Sequence, residues 1–111
     1  MLLEIESKAD QPTIVRMTGK LDLLSAAEVK ESLAKSVAEG HRRMVVDLAG
    51  VTFIDSSGLG ALIGGLKAAR LAGGDLRLAR PADQARVILE LTTLDRVLRP
   101  YTTLEEALAG Y

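Results

Sequence analysis

Val51-Thr52-Phe53-Ile54-Asp55-Ser56-Ser57-Gly58-Leu59-Gly60 joins two different hydrophobic periods. Before it, Met44-Val45-Val46-Asp47-Leu48 is a near-continuous apolar run, the pattern of a strand buried on both faces. After it, Leu59, Leu62, Ile63 and Leu66 recur at i, i+3, i+4 and i+7, which predicts a helix over 57–71 with those four residues turned to the core. At the junction stand an acid, two adjacent hydroxyls and a glycine.

Working outward, the same alternation of strand and helix continues in both directions. Leu3 and Ile5 alternate with Glu4 and Glu6, predicting a half-exposed first strand. Asp10-Gln11-Pro12 is a turn, and 13–18 reads as a second strand, hairpin-paired to the first and ended by Gly19. Ser25 with Glu28 three residues on predicts a capping box opening a helix that carries Val29, Leu33 and Val37 on one face and stops at Gly40. Gly73-Gly74-Asp75 is a turn before a strand over 76–79. Pro81 marks the start of a helix with Val87, Ile88 and Leu91 on one side. Val97-Leu98-Arg99 is expected as a short last strand, and Thr103 with Glu106 as a capping box for a terminal helix bearing Leu104, Ala107 and Leu108. The order ββαβαβαβα with short connections predicts one α/β domain over 1–111, with a mainly parallel sheet and one antiparallel hairpin.

Composition narrows the function classes. The chain has 111 residues, 48% hydrophobic and 26% charged, which suits one globular domain with one core. Fourteen basic and 15 acidic residues give a net charge of −1, with no basic excess to drive contact with phosphate backbones, so no direct nucleic-acid partner is expected. Phe53, Tyr101 and Tyr111 are the only aromatics, so base-stacking platforms are not expected either. Cysteine is absent, excluding disulfides, redox thiols and thiolate zinc sites. The early Glu4 and Glu6 do not fit an export signal, and the apolar run from Leu59 to Leu66 is far short of the roughly 20 residues a membrane span needs. A cytoplasmic protein with no membrane partner is the expectation.

Chemistry is sparse. His41 is the sole histidine and sits at a loop–strand junction beside Arg42 and Arg43, where a solvated role is expected. There is no G-x-S-x-G elbow and no G-x-x-x-x-G-K-[ST] loop, and the acids lie spread along helices. No catalytic residue, metal ligand or cofactor is therefore assigned, and the chain is not expected to be an enzyme.

The junction itself carries the functional signal. Asp55, Ser56 and Ser57 are three candidate caps for one helix, more polarity than one helix start requires. A spare hydroxyl there lies beside free backbone N–H groups and the positive end of the helix dipole, which suits a phosphorylation switch. A phosphate on Ser56 brings about −1.5 to −2 charges next to Asp55. Like charges about 4 Å apart repel by about 1 kcal/mol in water and about 4 kcal/mol at an effective dielectric near 20. Behind the turn, Gly60, Ala61, Gly64 and Ala68 trace a stripe of very small side chains. That stripe serves either close packing within the chain or a smooth surface for another protein's backbone.

The stretch Asp55-Ser56-Ser57-Gly58-Leu59-Gly60, preceded by Val46-Asp47-Leu48 and Val51-Thr52-Phe53-Ile54, resembles the signature of the anti-sigma factor antagonists, that is, STAS domains. Thr18-Gly19-Lys20-Leu21-Asp22 with Ser25-Ala26 is similar to the same family's G-x-L-D turn, and the element order matches over essentially the whole chain. The resemblance implies binding to an anti-sigma factor that is also an ATP-dependent serine kinase. It implies loss of that complex on phosphorylation of Ser56, and its restoration by a serine phosphatase. It further implies a partner-facing surface that includes Asp22, Asp55, Ser57, Gly58, Leu59, Gly60, Ala61 and Gly64. For Asp22 a turn acid bonded to its own backbone is the other reading. The alternative assembly is a STAS subunit of a lipid-transport complex or a signalling scaffold.

Overall fold

A computed structural model describes residues 1–111. The elements are β1 (Leu2–Glu6), β2 (Thr13–Leu21), α1 (Ala26–Ala38), β3 (Arg43–Ile54), α2 (Ser56–Leu71), β4 (Asp75–Ala79), α3 (Asp83–Leu91), a 3₁₀ turn (Leu94–Arg96), β5 (Pro100–Tyr101) and α4 (Leu104–Leu108). One five-stranded sheet runs β1-β2-β3-β4-β5, with β1 antiparallel to β2 and the other pairs parallel. The mixed sheet and the element order are those read from the sequence.

Because the strand order follows the chain, every parallel crossover moves the same way. One handedness then puts all the crossover helices on one face. The core agrees: Val29 and Leu33 of α1, Leu59, Leu62 and Leu66 of α2, and Leu89 of α3 join one cluster with Val15, Met17, Met44, Val46 and Leu78 of the sheet. The pleat sends Val45 and Asp47 to the opposite face, where Val45 and Ala79 pack under Ala107 of α4. Tyr111 anchors this layer. Its hydroxyl accepts from the Met44 N–H at 2.9 Å and donates to the Met44 carbonyl at 2.8 Å, and burial pushes the phenol above its ordinary pKa. The Arg77 guanidinium lies 4.2 Å from the Tyr111 ring centroid and 5.6 Å from that of Tyr101.

Four expectations are corrected. Gly19 does not end β2. At φ +116° it forms a register shift against β3, and the strand continues to Leu21. The inward side of α3 carries Ala85 and Leu89, with Ile88 half-buried, while Val87 and Leu91 are 53% and 80% exposed. Gln84 sets that phase: its amide accepts from the Ile54 N–H at 2.9 Å and donates to the Ile54 carbonyl at 2.8 Å. The last strand is not 97–99. Thr93 takes a left-handed φ of +57°, the 3₁₀ turn follows, and pairing with β4 begins only at Pro100, although Leu98 is fully buried. Finally, Ser25 does not cap α1 with its side chain.

Asp47 is the buried charged residue of the central strand, 3% exposed. Its carboxylate accepts from Arg80 Nε at 3.0 Å and from the Ala49 N–H at 3.1 Å, also pairs with Arg80 Nη2, and lies 3.9 Å from Arg16 Nε. Arg80 reaches it from a left-handed backbone, φ +54°. Burial alone would raise the Asp47 pKa. The Arg80 and Ala49 hydrogen bonds and the charges of Arg80 and Arg16 outweigh it and hold the carboxyl below the ordinary 3.8. Asp47→Ala is expected to cost about 2 kcal/mol, because Arg80 is half-exposed and regains water while Ala49 loses its acceptor. A fall of about 10 °C in Tm would report that cost. Since the folded pKa is lowered, the stabilisation is complete above the unfolded value and disappears as pH falls through the folded one. In urea titrations the gap between wild type and Asp47→Asn should hold from about pH 5 to 8 and narrow below about pH 4.

Candidate functional site

β3 and α2 meet at Asp55 with no intervening loop. Asp55 has an extended backbone, φ −112°, and its Oδ1 accepts from the Gly58 N–H at 2.9 Å, while its carbonyl accepts the first helical bond from Leu59 at 3.0 Å. Its own N–H donates to the Leu21 carbonyl at 3.2 Å, and Oδ2 accepts from the Leu23 N–H at 3.2 Å. One residue thus ties the end of β3 to the head of α2 and to the loop after β2.

Asp55 is the cap, so neither serine is needed for it. Ser56 is exposed and Ser57 half-buried, and neither hydroxyl has a hydrogen-bond partner within the domain. Ser56 and Ser57 are also the first two residues of α2, whose backbone N–H groups the helix itself cannot satisfy. An exposed hydroxyl, two free donors and the dipole's positive end therefore meet at one point.

The loop over 22–25 is built to a fixed shape. Asp22 Oδ1 accepts from the Leu24 N–H at 3.1 Å, which is the turn-acid arrangement. The Ser25 hydroxyl accepts from the Asp22 N–H at 3.1 Å and donates to the Lys20 carbonyl at 2.7 Å. That geometry explains the missing cap on α1: the hydroxyl is spent on the loop, and Ser25 is buried.

The structure divides the residues expected at a partner surface. Ser56 and Gly60 are exposed, and Asp22, Asp55 and Ser57 are partly so. Gly58, Leu59 and Ala61 are buried, which corrects the expectation that they face outward. A Cβ on Gly58 would lie 2.1 Å from the Leu21 carbonyl oxygen, so only glycine lets α2 come this close to β2. Gly64 is half-buried, covered by the stem of the exposed Lys30. A Cβ there would meet the Lys30 side chain of α1 at 3.1 Å, and one on Gly65 would meet Leu33 at 2.6 Å. Much of the small-residue stripe therefore serves helix–helix packing, and Gly60, with nothing within 4 Å of its would-be Cβ, is its open end.

Sequence reasoning missed the apolar side chains beside this turn. Leu23 is 73% exposed, Leu24 94% and Phe53 41%. The available signal was that Leu23 and Leu24 lie between the last strand position, Leu21, and the first buried helical position, Val29, where neither period offers them a place in the core. At the opposite end of the sheet, His41 is half-buried with Nδ1 at 3.3 Å from Ser7 Oγ and 3.2 Å from Thr13 Oγ, so it has hydroxyl partners and is not simply solvated. An open cleft of about 510 Å³ lies there, lined by Lys8, Asp10 and Arg42 among others, remote from the serines. No helix is long and apolar enough to cross a membrane.

Comparison with known proteins places this geometry. The anti-sigma-B factor antagonist of Staphylococcus aureus is 33% identical over 95 residues, covering 85% of this chain and 88% of that protein. Proteins of Thermotoga neapolitana and Thermotoga maritima provisionally named anti-sigma factor antagonists are 34% identical over 70 residues, 63% of this chain, and the match spans 62% of their own length. The unphosphorylated form of the anti-sigma factor antagonist SpoIIAA has the same fold, with a TM-score of 0.80 at 20% identity over 96% of this chain and 92% of that one. Its phosphorylated form, from Bacillus, superimposes with a TM-score of 0.72 at 20% identity over 96% of each chain. The STAS domain family profile matches residues 4–107, and the chain belongs to that family.

Proposed function

We propose that this chain is an anti-sigma factor antagonist switched by phosphorylation of Ser56. Unphosphorylated, it binds an anti-sigma factor that is also an ATP-dependent serine kinase, so that a sigma factor is released. Phosphate on Ser56 ends the complex, and a serine phosphatase resets it. The chain performs no catalysis of its own. It is the kinase's substrate, and Asp22, Asp55, Ser57 and Gly60 lie on the surface the kinase covers.

One observation carries this reading. Asp55 already caps α2, and the Ser56 hydroxyl is left exposed and unbonded at the first helical position. The names of the relatives and the existence of phosphorylated and unphosphorylated forms of SpoIIAA support it. So does the energetics. In the free domain the new charge sits in water beside the unsatisfied N–H groups of Ser56 and Ser57 and the helix dipole, which tolerate it. In a closed interface the same charge loses its water and lies next to the Asp55 carboxylate, where repulsion of up to about 4 kcal/mol opposes docking.

Incubation with the cognate kinase and ATP should add one phosphate, mapped by mass spectrometry to Ser56, and Ser57→Ala should still accept it. Ser56→Ala should remain kinase-bound in ATP, while Ser56→Asp should bind at least about tenfold more weakly. Stoichiometric phosphorylation of Ser56→Ala would overturn the assignment. Gly60→Ala separates helix propensity from docking. It should gain up to about 1 kcal/mol of stability in thermal melts, since its methyl meets nothing within 4 Å, yet lose affinity for the kinase.

A further inference from the structure

We infer that Leu23 and Leu24 form an apolar knob that supplies much of the affinity for the kinase, seated in an apolar recess of that partner; the inference rests on the reading of Ser56 given above. Leu24 is 94% exposed and Leu23 73%. Isolated exposed leucines are ordinary. This pair differs in being held.

The holding is done by backbone and by polar neighbours, never by the leucine side chains. The Leu24 N–H is bound by Asp22, the Leu23 N–H by Asp55, and the two turn ends are closed by the Ser25 hydroxyl and by the Ser25 and Ala26 N–H groups donating to the Asp22 carbonyl at 3.1 and 2.8 Å. A loop fixed in this way presents two large apolar side chains to water with little ordering left to be done on binding. Preorganised apolar anchors of this kind carry disproportionate binding energy.

What covers the knob follows from connectivity. Leu23 is bonded to Asp55, and Asp55 immediately precedes Ser56. A kinase whose reacting atoms reach the Ser56 hydroxyl must lie over the adjoining loop. The Asp55 carboxylate is then a positioning residue: Oδ1 holds the helix that presents the serine, and Oδ2 holds the knob. Affinity and chemistry therefore sit on two parts of one surface.

The test is calorimetric titration of the whole chain into the cognate kinase with ADP, comparing wild type, Leu24→Ser and the double variant Leu23→Ser with Leu24→Ser. Leu71→Ser is the control, since Leu71 is 90% exposed at the far end of α2. Affinity should fall at least about tenfold for Leu24→Ser and about a hundredfold for the double variant, with Leu71→Ser unchanged. Phosphorylation kinetics should show the loss in KM with kcat within about twofold. In Asp55→Asn, whose amide nitrogen cannot accept from Leu23, affinity should fall while Ser56 is still modified. Unchanged affinity in the double variant with normal Ser56 phosphorylation would overturn the knob alone. Absence of Ser56 phosphorylation, with affinity still dependent on Leu24, would overturn the switch alone. If sedimentation shows a wild-type dimer that Leu24→Ser dissociates, the knob is a self-association surface and the inference fails.

Discussion

A single carboxylate, that of Asp55, fixes where the candidate site is and what it presents. Its two oxygens accept from Gly58 of α2 and Leu23 of the β2–α1 loop, while its N–H donates to Leu21 of β2. Two stretches distant in sequence, 21–23 and 55–58, meet at that residue. The arrangement requires α2 to lie almost against β2, and the missing side chain of Gly58 allows it. Cap, close approach and loop shape therefore depend on one another.

The remaining polar group of consequence, Asp47, solves a different problem. The sheet is covered by three crossover helices on one face and only by α4 and the C-terminal residues on the other. A carboxylate buried on that second face needs compensation, and it receives two arginines and a backbone N–H. Arg80 reaches it from a left-handed backbone, φ +54°, with its guanidinium half-exposed and hydrogen-bonded to the buried carboxylate. The two carboxylates thus hold different parts of the fold, Asp47 buried on the second face of β3 and Asp55 at the strand's end.

Most of the architecture was legible in the sequence because period and punctuation agreed. Met44 to Leu48 is apolar enough to be a central strand, Leu59, Leu62 and Leu66 all turned to the core, and Thr103 capped α4 with its hydroxyl accepting from Glu106 at 3.1 Å. Where reading and structure part, a tertiary contact made the choice. Gln84 turned α3 by bonding Ile54, so Val87 and Leu91, the more hydrophobic stripe, lie outside. Ser25 had two uses open to it, and loop closure took precedence over capping. The spare hydroxyls of the turn were visible as redundancy among Asp55, Ser56 and Ser57. Which of the small residues behind it face outward was not, because Gly58, Ala61 and Gly64 differ from Gly60 only in what lies opposite them.

That difference bears on how such a switch can work without unfolding its own carrier. A phosphate on a buried or capping serine would break hydrogen bonds that hold the helix, and modification would then compete with folding. Here the structural hydrogen bonds are made by Asp55 and the close packing by Gly58 and Gly64, so Ser56 has no structural duty to lose. A phosphate there, about −1.5 to −2 in charge, would meet two free N–H groups and water, and its cost would be confined to states in which a partner has removed that water. In the proposed switch, separating the residue that holds the turn from the residue to be modified would let a docking equilibrium shift by several kcal/mol while the stability of the domain stays nearly constant.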